Sequence, residues 1–169
     1  MHCNIIICGD IQVGKSTLVN ALIDKIQKPV SGFITKSLNG NGRGYHEIYM
    51  YPPLNPSDCR LLAVCEGEKV EVNSNVFDTF GCELLSMISP GDIVVMDEIG
   101  FMEEKSVKFK NKVLEILSGN IPVIAAVKSG HEDSEFLNSV KYNKNSSLYF
   151  ITKENRDNLF DIVVKEQLL

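Results

Sequence analysis

One short segment near the start of the chain restricts its possible folds more than any other feature. Residues 9–16 read Gly-Asp-Ile-Gln-Val-Gly-Lys-Ser, which fits the Walker A pattern G-x-x-x-x-G-K-[ST] at every position. In that pattern backbone N–H groups surround phosphate oxygens, the lysine reaches the β- and γ-phosphates, and the final hydroxyl binds Mg²⁺. We therefore predict that Lys15 acts in catalysis and that a nucleotide contacts Gly9, Asp10, Ile11, Gln12, Val13, Gly14, Lys15, Ser16 and Thr17.

The segments on both sides of this motif match the context that a phosphate-binding loop needs. Residues 4–8 are one polar and four apolar residues, which is typical of a strand buried on both faces of a parallel sheet. Residues 15–27 carry apolar side chains at helical spacing until Pro29 ends the pattern, and the N-terminal amides of a helix attract anions. A chance glycine-rich turn capped by Ser16 is the weaker alternative, because it does not account for the strand-like segment before the motif or the helix-like segment after it.

The rest of the chain alternates between strand-like and helix-like segments. Two β-rich pairs come first, residues 30–38 with 45–51 and residues 61–65 with 69–72, and each pair is expected to form an antiparallel hairpin. Helices are expected at 76–88, 104–117, 133–140 and 155–168, and buried strands at 92–96, 122–127 and 147–152. This alternation predicts one α/β domain over residues 1–169, with a mostly parallel central sheet, helices on both faces and inserted β-hairpins.

A pair of acidic residues ends one of the expected strands. Residues 93–96 are apolar, and Asp97 and Glu98 follow directly, as in the Walker B arrangement. The carboxyl ends of parallel strands share one edge of a sheet, so we expect Asp97 to lie near Gly9. We predict that Ser16 and Asp97 hold Mg²⁺, Asp97 through water, and that Glu98 orients or deprotonates the attacking water. A solvated strand end or a helix cap is the alternative interpretation.

Residues 97–100 also satisfy D-x-x-G, a pattern in which the glycine N–H senses the γ-phosphate of a guanine nucleotide. We therefore include Ile99 and Gly100 among the predicted nucleotide contacts. A guanine reader also needs an aspartate in an Asn- or Thr-Lys-x-Asp segment, whereas residues 152–155 read Thr-Lys-Glu-Asn. Because asparagine lacks the carboxylate that accepts two hydrogen bonds from the base, we expect weak base selection.

Composition argues against several other functions. The net charge is −5 and three arginines are present, which disfavours a dedicated nucleic-acid binder. No apolar run approaches the roughly 18 residues of a membrane span, and no secretory signal is visible, so we expect no membrane association and a cytoplasmic location. The five cysteines contain no C-x-x-C and the three histidines are far apart, so neither set is predicted to hold a metal.

Taken together, these motifs resemble the small P-loop nucleoside-triphosphatase family that includes the cancer-related nucleoside triphosphatase and its archaeal and thermophile relatives. The resemblance spans nearly the whole chain. It implies an α/β P-loop fold and Mg²⁺-dependent hydrolysis of ATP, GTP, CTP and UTP to diphosphate and phosphate, with little base preference. Ile11, Gln12 and Phe101 depart from the residues usual in the family. Its most specific parts beyond the phosphate loop are residues 32–35 (Gly-Phe-Ile-Thr), 42–45 (Gly-Arg-Gly-Tyr), 97–103 (Asp-Glu-Ile-Gly-Phe-Met-Glu) and 152–157 (Thr-Lys-Glu-Asn-Arg-Asp).

Few arginines are available to stabilise charge on the γ-phosphate. Arg156 follows an expected strand end near the site and is our candidate for this catalytic role, with an exposed salt bridge as an equal alternative. Arg43, in the glycine-rich tip of the first hairpin, could reach over the nucleotide or lie in a solvated turn. A small-molecule kinase that shares the loop and a nucleotide-gated binding module with slow hydrolysis stay open as alternatives. The sequence also leaves the oligomeric state open.

Overall fold

The computed structural model describes residues 4–39 and 44–167, so Arg43 lies outside the described residues. Its strands are β1 (Asn4–Gly9), β2 (Val30–Asn39), β3 (Tyr45–Tyr51), β4 (Arg60–Glu66), β5 (Lys69–Val72), β6 (Ile93–Ile99), β7 (Val123–Lys128) and β8 (Ser146–Phe150). Within the described ranges they form one eight-stranded sheet in the order β5-β4-β3-β2-β6-β7-β1-β8. Every strand expected from the sequence is present, with ends shifted by at most three residues.

The helices begin and end close to the positions expected from the sequence, with two differences. They are α1 (Lys15–Ile26), α2 (Ser74–Val76), α3 (Cys82–Leu84), α4 (Val107–Leu117), α5 (Glu135–Lys141) and α6 (Arg156–Gln167), and a π-helical segment, Phe77–Gly81, joins α2 to α3. The first difference is that this joined helix ends at Leu84 rather than at residue 88. Beyond Leu84, residues 85–86 form a turn in which the Ser86 N–H donates to the Glu83 carbonyl at 2.9 Å.

The second difference concerns the start of α4, which was expected at residue 104. Residues 102–105 form a turn, and the N–H of Ser106 donates to the carbonyl of Glu103 at 2.8 Å. Glu103 itself is fully buried, although the sequence pattern places it in a polar stretch. The chain therefore reaches α4 through a compact connection that begins directly after β6.

The parallel half of the sheet brings the predicted site residues to one edge. β2, β6, β7, β1 and β8 are neighbours in this order and all run parallel. Gly9 at the end of β1 lies beside Lys128 at the end of β7, and Asp97 near the end of β6 lies beside Ala126. Because these positions are all at carboxyl ends of strands, the phosphate loop and the acidic pair share an edge, as the topology rule requires.

The hairpins continue this same sheet. β2 pairs in parallel with β6 on one side and antiparallel with β3 on the other, so it belongs both to the parallel core and to the first hairpin. β4 and β5 then extend the sheet by antiparallel pairing. The inserted β-hairpins are therefore an antiparallel extension of the central sheet, and they carry side chains of β2 and β3 toward the end of β6.

Both faces of the sheet are covered by apolar helix surfaces. Successive residues of β1 point to opposite faces: Ile6 packs in a cluster with residues of α4 and α5, whereas Ile7 packs with residues of α1 and α6. The first cluster includes Phe109, whose ring lies 5.3 Å from that of Phe33. Full burial of each such side chain contributes about 1.5–3 kcal/mol. In the parts of the chain that the structure describes, no helix is both long and apolar enough to cross a membrane.

Candidate active site

The loop between β1 and α1 closes around the side chain of Lys15. Gly14 caps α1 with φ +111°, a conformation that a residue with a Cβ adopts only under strain. Lys15 is the first residue of α1 and is 4% exposed. Its ammonium donates hydrogen bonds to the carbonyls of Gly9 and Asp10 at 2.8 Å and 2.6 Å. The strand, loop and helix expected around this motif are therefore present, with the lysine turned into the loop.

Ser16 and Asp97 come together from distant parts of the chain. The Ser16 hydroxyl donates a hydrogen bond to Asp97 Oδ1 at 3.1 Å. Burial raises the pKa of Asp97 to about 6, while the Ser16 bond opposes this rise and the nearby Glu98 charge adds to it. The described residues contain no group of three or more His, Cys, Asp or Glu side chains that could hold a metal. The pair of oxygen donors fits Mg²⁺, which is usually held by one or two protein oxygens together with phosphates and waters.

Glu98 lies between two lysines. Its Oε2 is 3.0 Å from Lys15 Nζ and its Oε1 is 3.3 Å from Lys128 Nζ. Its backbone N–H donates to the Thr35 hydroxyl at 3.2 Å. The carboxylate is therefore fixed on both of its oxygens, beside the lysine that the motif directs to phosphate.

The sequence did not identify Lys128 or Thr35 as site residues, although Thr35 belongs to residues 32–35, which carry part of the family resemblance. Lys128 ends β7 and lies opposite Gly9 in the sheet, and Thr35 lies on β2 beside the end of β6. The signal available for Lys128 was its place at the end of an expected parallel strand. Its proximity to Glu98 depends on the strand order, which puts β7 next to β6 and which the sequence alone does not give.

A cavity of about 540 Å³ opens over Glu98. The phosphate loop contributes Ile11, Gln12 and Ser16 to its wall, and Asp97, Glu98 and Lys128 contribute the charged groups. Its far wall comes from the hairpin strands and includes the polar side chains of Thr35, Ser37 and His46. The arrangement can accommodate a phosphate group beside a carboxylate and two ammonium groups, with room left on the hairpin side.

Arg156 lies on the other side of the phosphate loop. It lines a separate cleft of about 310 Å³ together with Gly14, Thr17 and Phe160. The strand order explains this separation, because Arg156 follows β8, which flanks β1 on the side away from β7 and β6. The side chain is half exposed, and its nearest acidic partner is Asp157 at 3.7 Å. The structure thus brings Thr17 and Arg156 together but not Arg156 and Glu98, and the catalytic role of Arg156 stays a prediction.

Ile99 and Gly100 occupy the end of β6 and the start of the following loop. Ile99 is fully buried in the core. The Gly100 N–H donates to Glu103 Oε2 at 3.0 Å, so this amide already has an acceptor. The predicted contacts of both residues with nucleotide stay predictions.

Glu103 is the buried acid behind this loop. Burial raises its pKa to about 8, although backbone hydrogen bonds from Glu103 and Gly100 oppose the rise. Among the described residues its Oε1 has no hydrogen-bond partner. The Glu103 carboxyl therefore supports the backbone between Glu98 and α4. Glu103 belongs to residues 97–103, which carry part of the family resemblance, but no periodicity in the sequence indicated its burial.

The side chain of Asn155 is hydrogen-bonded to the backbone of the turn between β8 and α6. Its Oδ1 accepts from the Thr152 N–H at 2.8 Å, and its Nδ2 donates to the Phe150 carbonyl at 2.8 Å. Both ends of the amide thus bind the backbone of the turn that precedes Arg156. The weak base selection expected from Asn155 stays a prediction.

Comparison with known proteins gives concordant results. A family model described as NTPase matches residues 4–164. The chain is 30% identical over 175 residues to nucleoside-triphosphatase THEP1 of Methanocaldococcus jannaschii, covering 97% of this chain and 96% of that protein. It is 31% identical over 166 residues to nucleoside-triphosphatase THEP1 of Methanothermobacter thermautotrophicus, covering 92% and 91%.

Two solved structures share the fold. The crystal structure of THEP1 from the hyperthermophile Aquifex aeolicus superposes with a TM-score of 0.76 at 23% identity and covers 96% of this chain and 97% of that one. The solution structure of a human cancer-related nucleoside triphosphatase gives a TM-score of 0.74 at 23% identity, covering 98% and 97%. The P-loop α/β fold and the family expected from the sequence are confirmed. Such a family acts on nucleoside triphosphates and implies a divalent metal ion. The chain belongs to the NTPase family and is a nucleoside triphosphatase.

Proposed function

We propose that the chain hydrolyses ATP, GTP, CTP and UTP to diphosphate and phosphate with Mg²⁺, and that Glu98 is the general base. The observation that carries this proposal is the position of the Glu98 carboxylate, 3.0 Å from the Lys15 ammonium and in the same cavity as Ser16 and Asp97. A group that accepts a proton must lie within reach of the water that attacks the γ-phosphorus. Glu98 meets this requirement if Lys15 binds the β- and γ-phosphates.

Ser16 and Asp97 are the proposed protein ligands of Mg²⁺. Their oxygens already lie 3.1 Å apart, which supports joint use of the pair. Ser16 and Asp97 would hold the ion, which would supply positive charge to offset the negative charge that develops on the phosphates. The Ser16 hydrogen bond orients the Asp97 carboxyl toward the loop.

Glu98 is proposed to act on the water itself. As a water oxygen bonds to the γ-phosphorus, the bond from that phosphorus to the bridging oxygen breaks, and the water proton passes to Glu98. Lys15 faces the oxygens that gain negative charge. Positioned donors and bases of this kind contribute about 10²–10⁴ in rate each.

Weak base selection is supported by the other side of the loop. The cleft that contains Thr17 and Arg156 is open and holds a single aromatic ring, Phe160. Asn155 is engaged with the backbone at both ends of its amide. A polar site built to read one base discriminates by about 10⁴–10⁵. The carboxylate that lines this cleft, Asp157, lies 3.7 Å from the Arg156 guanidinium and is highly exposed. The proposed role of Arg156 is to approach the phosphates from this cleft.

A phosphate-release assay with each of the four triphosphates tests this function. We expect release with Mg²⁺ and without any added acceptor, loss of release when the metal is chelated, and kcat/KM values within about 10³-fold of one another. A greater preference for GTP would contradict promiscuity. Tight nucleotide binding with negligible release would favour the nucleotide-gated binding module.

A small-molecule kinase is the second candidate, and one observation favours it. The cavity over Glu98 extends to Ser37 and His46 on the hairpin, which leaves room for an acceptor next to the γ-phosphate. A kinase would lose triphosphate only when the acceptor is present and would transfer the phosphate to it. The single domain over residues 1–169 and the cytoplasmic location are further proposals that come from the sequence.

A further inference from the structure

Lys128 is the second cation on Glu98, and the proposed reaction gives it no role so far. Its ammonium lies 3.3 Å from Glu98 Oε1, while Lys15 lies 3.0 Å from Oε2. The side chains of Glu98 and Lys128 are 22% and 20% exposed, so this pair is screened less than an ion pair on an open surface. Lys128 also lines the cavity that contains Ser16 and Asp97.

The two lysines cannot keep the same partners when a nucleotide binds. In a phosphate loop the motif lysine binds β- and γ-phosphate oxygens, so Lys15 must exchange its contact with Glu98 for contacts with the nucleotide. Lys128 is on a different strand and is not part of the phosphate loop. It can therefore keep the carboxylate of Glu98 in place after Lys15 has turned to the phosphates.

The backbone beneath Lys128 fixes the direction of its side chain. A Cβ added at Gly100 would lie 3.1 Å from Lys128 Cδ, so the lysine stem lies directly over the Gly100 backbone. The Gly100 N–H is held by the buried Glu103 carboxyl at 3.0 Å. The Lys128 ammonium is also 5.5 Å from the centre of the Phe101 ring, a favourable cation–π distance.

We propose that Lys128 is a positioning residue for hydrolysis, which holds the Glu98 carboxylate toward the attacking water while Lys15 binds the triphosphate. This inference rests on the proposed role of Glu98 as the base. It assigns Lys128 an effect on turnover and no direct contact with the nucleotide. A Cβ at position 100 would be in tight contact with the Lys128 stem, which would have to shift by a few tenths of an ångström.

The first test compares Lys128→Met with Lys128→Arg, and uses Lys28→Met, on the exposed residue after α1, as the control for loss of one positive charge. We expect Lys128→Met to lower kcat with ATP about 10- to 100-fold. Calorimetric affinity for a non-hydrolysable ATP analogue with Mg²⁺ should change by less than about 3-fold, because the phosphates keep their ligands. Lys128→Arg should recover most of the rate, and Lys28→Met should match the wild type.

A double-mutant cycle with Glu98→Gln separates positioning from direct phosphate binding. If Lys128 acts through Glu98, adding Lys128→Met to Glu98→Gln should lower kcat by less than about 3-fold further. Multiplicative effects, or a loss of analogue affinity that matches the loss of kcat, would mean that Lys128 contacts the nucleotide and would overturn the proposal. A wild-type kcat for folded Lys128→Met would also overturn it.

Two controls keep these outcomes distinct. If Glu98→Gln hydrolyses at the wild-type rate, the base assignment fails and this inference fails with it, whereas a slow Glu98→Gln beside a fast Lys128→Met overturns the inference alone. Circular dichroism reports whether Lys128→Met is folded.

Gly100→Ala is a second test of the same proposal, because it keeps the charges of Glu98 and Lys128 but shifts the lysine stem. We expect kcat to fall at least about 3-fold with unchanged affinity for the analogue. An unchanged kcat would count against the proposal.

Discussion

Lys15 Nζ lies 3.0 Å from Glu98 Oε2 and at the same time donates to two carbonyls of the phosphate loop. The Lys15 ammonium is therefore paired with protein groups on several sides. A triphosphate must replace a carboxylate and two carbonyls as partners of one ammonium group. The exchange links binding to chemistry, because the group released from Lys15 is the proposed base.

Lys15→Ala is expected to remove most triphosphate binding. The substitution deletes the one buried side-chain cation of the loop, and hydrogen bonds from a charged donor contribute about 1.5–3 kcal/mol each, so affinity should fall about 10²-fold or more. Calorimetric titration with a non-hydrolysable analogue measures the change. Lys25→Ala, in the last turn of the same helix, is the matched control. Undiminished affinity in folded Lys15→Ala would contradict the assignment of the loop.

Asp97→Asn is expected to weaken the dependence of binding on Mg²⁺. The amide keeps the size of the side chain and an oxygen for Ser16, but it removes the negative charge that offsets a divalent cation. The Mg²⁺ concentration that gives half-maximal analogue binding should rise about 10-fold, and kcat should fall as well. An unchanged Mg²⁺ titration would show that Asp97 is not part of the metal site.

The sequence predicted those parts of the site that depend on local pattern. The phosphate loop is contiguous, and Asp97 and Glu98 follow an apolar run that any parallel arrangement directs to the same edge. Lys128 and Thr35 could not be selected, because their contacts with Glu98 require β7 and β2 to flank β6. The same strand order separates Arg156 from Glu98, although Glu98 lies near the carboxyl end of β6 and Arg156 comes shortly after that of β8.

Glu103 illustrates a different limit. Glu103 is the first residue of the polar run at positions 103–106, and the sequence predicts helical spacing from residue 104, so the pattern gave no sign that Glu103 is buried. Its burial results from the compact turn before α4. In that turn the Glu103 carboxyl accepts a hydrogen bond from the Gly100 N–H, and the Glu103 backbone carbonyl accepts one from the Ser106 N–H. Pattern reasoning detects periodic elements, whereas a tight connection between two of them is determined by how they pack.

Glu103→Gln is expected to reduce the loss of stability as pH rises. The pKa of Glu103 is raised from 4.5 to about 8 by burial, so between these values the unfolded chain releases a proton that the folded chain retains. Rising pH therefore favours unfolding, and at pH 7 the cost is on the order of 3 kcal/mol relative to pH 4. Denaturant unfolding at several pH values measures the difference. The exposed neighbour Glu104→Gln serves as the control, and parallel pH curves for wild type and Glu103→Gln would refute the prediction.

Glu98→Gln is expected to separate binding from chemistry. Glutamine keeps the size of the side chain and the backbone bond to Thr35, but it cannot accept the water proton, so phosphate release should slow at least about 10²-fold. Affinity for a non-hydrolysable analogue should be retained or increased, because Lys15 no longer has a carboxylate partner to give up. The charge control is Glu104→Gln, which should hydrolyse at the wild-type rate. If Glu98→Gln also does so, Glu98 is not the base, and Gln12, which lines the same cavity, becomes the leading candidate for orienting the water.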